Sequence, residues 1–153
     1  MKEEYLTTSS IDGKDICLSA LGRVQTQALA DDYLAFLFSD KVAVQDVHSG
    51  GAALGANAKT RPILWKYIKE NWDALRSQLG GNMVVLDRFL RMSLTKFASH
   101  ETAQDIESFF KDKDNRGYDR ALGIIDQTIK ASATYKERDT KVLEEWLSAH
   151  GYA

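Results

Sequence analysis

Only one cysteine, Cys17, occurs in 153 residues. No internal disulfide can form, so packing alone must hold the fold, and a reducing compartment suits the chain. Cys17 lies in the apolar run Ile16-Cys17-Leu18 with no His or Lys directly beside it to lower its pKa. It reads as a small buried hydrophobe rather than a reactive thiol. Proline is as scarce: Pro62 stands alone, so long helices meet few breakers. An excess of positive charge is also missing. The net charge of -2 argues against nucleic-acid or anionic-membrane partners, which call for a basic face. No apolar run approaches the ~18 residues that span a bilayer. The polar, acidic start MKEEYLTTSS is not a signal peptide.

Against these absences stand 44% hydrophobic and 27% charged residues, the balance of a globular domain. A chain of this length suits one domain, residues 1–153, burying about 70% of its unfolded surface. Between glycine joints the apolar period is near 3.6, which predicts an all-α fold. A first helix is expected from Ser10 to Leu21, stopped at Gly22, and a second from Thr26 to Phe38. A short helix is expected through Asp46-Val47-His48. Thr60 is expected to cap a long helix with Pro62 in its first turn and Leu64, Tyr67, Ile68, Trp72 and Leu75 on one face. Val84 to Phe97 follows Gly80-Gly81; Val84-Val85 would suit a strand, but no partner strand is evident. Ser99 opens the next helix. The sign-alternating run KDKDNRGYDR reads as a solvated loop. Two further helices are expected, Tyr118 to Tyr135 and Arg138 to His150. The total is seven or eight helices, recurring in pairs as in a HEAT-like α-α superhelix, with a compact bundle as the alternative.

Several constellations carry residue types of known chemistry. His100-Glu101-Thr102-Ala103-Gln104 approaches the zincin motif, but Gln104 stands where a second histidine must meet the metal. Asp46, His48 and Ser49 hold the types of a hydrolase triad, though neighbours so close rarely reach triad geometry and no nucleophile elbow surrounds them. The glycines of SGGAALGAN lack the Lys-Ser/Thr ending of a phosphate loop and read as joint residues. Trp65, Trp72 and Trp146 lie at helical spacing among leucines and read as packing residues. Arg88 and Arg91 flank the apolar stripe of their helix. An arginine at such an edge either pairs with an inner-helix carboxylate or faces a cavity, where it can hold a peptide carboxylate bidentately.

The segment from Gly55 to Leu75, GANAKTRPILWKYIKENWDAL, resembles the C-terminal domain of gluzincin aminopeptidases of the puromycin-sensitive and endoplasmic-reticulum type. The resemblance rests on Asn57, Arg61, Trp65, Tyr67, Lys69, Asn71, Trp72 and Leu75. In order along the chain it extends to Leu18 through Arg23, Val42 through His48, Arg88, Phe97-Ala98-Ser99, Glu107 through Phe110 and Trp146-Leu147. Thr60-Arg61-Pro62 departs from the usual Gly-Arg entry, and Gly50 and Gly51 are additional. The family's zinc helix and its G-x-M-E-N loop have no counterpart here; both belong to an upstream domain.

The resemblance implies a non-catalytic bowl of paired helices that closes the substrate chamber of a cytoplasmic zinc aminopeptidase. It implies an upstream catalytic domain and peptide substrates as partners, no cofactor in this chain, and Zn²⁺ in the parent's catalytic domain. Arg88 is the expected peptide contact, and Arg61 a weaker one that reads first as a helix-entry brace. An isolated domain of this kind is expected to expose an apolar patch or self-associate. Composition alone also fits a free-standing HEAT-like interaction module. A small hydrolase using His48 or His100 is the third reading.

Overall fold

A computed structural model describes residues 1–152. Among the described residues there are nine α-helices and no strand: α1 (Lys2–Thr7), α2 (Ile11–Leu21), α3 (Gln27–Leu37), α4 (Val47–Ala56), α5 (Arg61–Glu70), α6 (Trp72–Leu79), α7 (Met83–Leu94), α8 (His100–Phe110) and α9 (Asp119–Ala149). A 3-10 turn, Val44–Asp46, leads into α4.

Ser99 caps its helix as expected, and Ser10 and Thr26, expected only as helix starts, cap theirs too. Ser10 accepts from the Gly13 amide, Thr26 from Leu29 and Ser99 from Thr102, each satisfying one orphan donor of a first turn. Thr60 behaves differently. Its buried hydroxyl donates to the Leu54 carbonyl at 2.8 Å, so it ties α5 to the end of α4 instead of capping. Val84-Val85 lies inside α7 and makes no strand.

The helix count differs from the expected seven or eight for three reasons. An unexpected α1 forms because Tyr5 is buried, 1% exposed, and its hydroxyl donates to Asp46 at 3.1 Å while accepting from the Ala43 amide. The tryptophan helix is two helices: Asn71 leaves helical backbone, and its side-chain amide donates to the Tyr67 carbonyl. The last two expected helices are one, because nothing from Ile124 to Ala149 is glycine or proline and the chain simply continues.

The helices stack in two rows. One row runs α2, α4, α7, α9, each packed on the next. The other holds α3, α5 and α8, with α6 following α5; Trp65 of α5 reaches Asp105 of α8. This is the alternation of an α-α superhelix, in which each pair buries its apolar face on its neighbour.

The tightest packing is between α4 and α7. Gly50, Gly51 and Gly55 sit inside α4, not at a joint, which corrects the expectation for this run. A Cβ on Gly51 would overlap Ser93 Oγ and the Phe89 ring, and one on Gly55 would overlap the Ser93 carbonyl oxygen. Helix propensity is given up here so that two backbones can approach. An aromatic cluster closes the other row. Trp72 meets Phe110 edge-on at 4.9 Å, and Trp65 meets Phe109 at 5.4 Å. Such pairs add about 0.5–1.5 kcal/mol each beyond area burial. Trp65 and Trp72 are thus core, as expected. Trp146 is 51% exposed and is not a packing residue within the domain.

Candidate functional site

The outer edge of the α2–α4–α7 row holds an open groove of about 580 Å³. Asp15 and Ser19 come from α2, one turn apart, and Arg23 follows just past its end. His48, Ser49, Ala52, Ala53 and Ala56 come from α4, and Arg88 and Met92 from α7. The three alanines explain the concavity: they give a low floor between two helices that carry long side chains. The same close approach that Gly51 and Gly55 permit draws α7 and its Arg88 toward α4.

Arg88 is exposed and faces this groove. It makes no ion pair among the described residues. Arg91 instead pairs with Asp87 on its own helix at 2.8 Å, at the i, i+4 spacing. Arg88 and Arg23 supply positive charge, with Asp15 as the opposing carboxylate. His48 Nδ1 lies 2.6 Å from the Gln45 carbonyl. A carbonyl only accepts, so Nδ1 carries a proton and donates it to Gln45. Two guanidinium groups with free donors suit a carboxylate ligand.

Arg61 is placed elsewhere. Its Nε donates to the Gly55 carbonyl and a terminal nitrogen to the Ala56 carbonyl at 3.3 Å, so it caps the C-terminus of α4. Its guanidinium lies over the Phe97 ring, 5.6 Å from the centroid, and burial lowers its pKa. It is not among the groove residues.

The other constellations do not assemble. The Asp46 carboxylate accepts from Tyr5 while His48 is held by Gln45, so no Asp–His–Ser relay forms. His100 starts α8 in solvent, with Thr134 Oγ1 at 3.4 Å and Glu137 at 3.8 Å. His150 stacks on Trp146 at 4.1 Å near the end of α9. Cys17 is 2% exposed. Among the described residues no group of three His, Cys, Asp or Glu is disposed to hold a metal ion.

Sequence reasoning missed Asp15, Arg23 and His48 as groove residues. A signal existed: Asp15, Ser19 and Arg23 recur at i, i+4, i+8, a polar stripe beside buried Cys17 and Leu18. The run KDKDNRGYDR is more organised than a solvated loop. Asp114 accepts from Arg116 at 2.8 Å and Arg76 at 3.3 Å, chiefly Arg116 holding its carboxyl well below the usual range. Gly117, at φ 92°, then turns the chain into buried Tyr118.

Comparison with known families decides what this architecture is. Residues 1–131 match the ERAP1-like C-terminal domain. The chain belongs to that family. Aminopeptidase 2, mitochondrial, of Saccharomyces cerevisiae is 30% identical over 148 residues, covering 97% of this chain and 16% of the relative. Alanine/arginine aminopeptidase of the same yeast is 30% identical over 148 residues, covering 97% and 17%. Aminopeptidase M1 of Arabidopsis thaliana is 26% identical over 133 residues, covering 87% and 15%. The ERAP1-like domain described here spans about a sixth of the length of these relatives, all of them aminopeptidases. No described helix is long and apolar enough to cross a membrane.

Proposed function

We propose that this domain closes the peptide chamber of a zinc aminopeptidase and helps select its substrates without performing the hydrolysis. The observation that carries the reading is the groove across α2, α4 and α7, with Arg88 free on its rim. Peptides shortened from the N-terminus always keep a C-terminal carboxylate. A cap that holds that carboxylate fixes the distance to the first peptide bond, and so favours certain lengths. Arg88 binds the carboxylate, with Arg23 beside it. Arg61 acts indirectly, by bracing the end of α4, whose alanines form the groove's floor.

The zinc belongs to an upstream catalytic domain of the same polypeptide, where it would supply an activated water. This chain's part is positional. Its groove orients the peptide's far end, and its helices restrict what enters the chamber and exclude folded proteins. A cytoplasmic setting is part of the same reading, supported by the lone buried thiol of Cys17. The test is Arg88→Ala in the full-length enzyme, assayed on a peptide length series. KM rises for peptides long enough to reach the groove, more than for a single aminoacyl amide, and the length optimum flattens. An unchanged KM and length profile would remove Arg88 from the role.

A further inference from the structure

The core ends at Ala133, yet α9 continues to Ala149. This distal half has two unlike sides. Lys136, Glu137, Thr140, Lys141 and Glu144 line a polar notch against the start of α8. On the opposite side Tyr135, Val142 and Trp146 are 61%, 61% and 51% exposed, with Leu143 beside them at 56%. At 100° per residue the first three fall within about 40° of one another, and the notch residues centre roughly 180° away. The apolar side turns away from the domain's own body, and a straight helix free of glycine and proline cannot bring it back.

We propose that this stripe docks on the same stripe of a second copy, with the two α9 ends antiparallel. The charge pattern of one flank is complementary to itself when two copies run antiparallel. Arg138 and Glu145 lie seven residues apart, on one flank of the stripe. A two-fold axis between Lys141 and Val142 sets each Arg138 against Glu145 of the second copy, twice over. Val142 meets Val142 near the axis, and Trp146 covers the space between Tyr135 and Arg138 of the second copy. The guanidinium is already held at this flank, 2.8 Å from Asp139 and over the Tyr135 ring at 4.6 Å. The contact is isologous and small, so it belongs to the weak, concentration-dependent class.

Sedimentation of this chain over roughly a hundredfold concentration range is the test. A reversible monomer–dimer equilibrium is expected. Trp146→Glu abolishes it. Arg138→Glu and Glu145→Arg each weaken it about tenfold, and mixing those two variants restores pairing as a heterodimer. All three positions are exposed, so circular dichroism and melting stay unchanged as controls. A chain monomeric throughout would overturn the proposal. So would a dimer indifferent to Trp146→Glu, which would place the contact on another face, or charge reversals that mixing does not rescue.

Discussion

The α2–α4–α7 stack and the distal half of α9 are built from the same helix physics and end in opposite states. In the stack, side chains are cut to glycine so that backbones touch: Gly51 and Gly55 meet Ser93, while Phe89 is fully buried against Gly51. In α9 beyond Ala133 the helix is intact, and its apolar side meets no other helix of its own chain. Helix formation and helix packing are therefore separable here. The first follows from composition, and the second needs a neighbour of matching shape. The groove lies on the packed region, where the helices that carry its residues are held together, and the proposed contact between copies lies on the unpacked one.

The contrast can be broken most strongly at Phe89. Phe89→Ala leaves a cavity between α4 and α7 and should cost about 3–5 kcal/mol in chemical denaturation. Gly55→Ala forces a methyl onto the Ser93 carbonyl and should cost about 1–3 kcal/mol, although alanine is the better helix former. A neutral or stabilising Gly55→Ala would mean the approach of α4 to α7 is looser than described.

Asp105 sharpens the comparison at the junction between α5 and α8. Lys69 first, then the Trp65 ring N–H, holds its carboxyl below the usual range. A depressed folded value gives stability that is present above the unfolded pKa and lost as pH falls through the folded one. Asp105→Ala should therefore cost about 0.5–1 kcal/mol at neutral pH, discounted because the side chain is 47% exposed, and the difference from wild type should vanish in strong acid. Trp146→Ala is the smallest effect, within about 0.5 kcal/mol in dilute monomer, since the ring packs on no helix of its own domain. A large loss there would show that the distal half of α9 supports the core.

Much of this was legible in the residues, and the misses have physical causes. Ser10, Thr26 and Ser99 announced their helices because capping is local chemistry. Of the one-sided run, Leu64, Ile68, Trp72 and Leu75 are buried as its period implied and Tyr67 is half-buried, although Asn71 breaks the helix within it. That break turns on a single amide reaching back to Tyr67, which periodicity does not register. The glycines of α4 were misread because glycine in a joint and glycine at a helix crossing look alike until the partner, Ser93, is in place. Likewise α1 depends on Asp46 receiving Tyr5 across the chain. In the groove, Arg88 was legible from its edge position on a helix. Asp15, Arg23 and His48 join it only through the stacking of α2 on α4.

The most direct measurement is the ratio of kcat/KM for a peptide with a free C-terminal carboxylate to that for its C-terminal amide, in the full-length enzyme with Arg88 or with Arg88→Ala. A carboxylate held by Arg88 gives wild type a preference of about fivefold to tenfold for the free acid, which the variant loses while treating the amide as before. Equal ratios in the two enzymes would contradict a groove that reads the far end of the peptide.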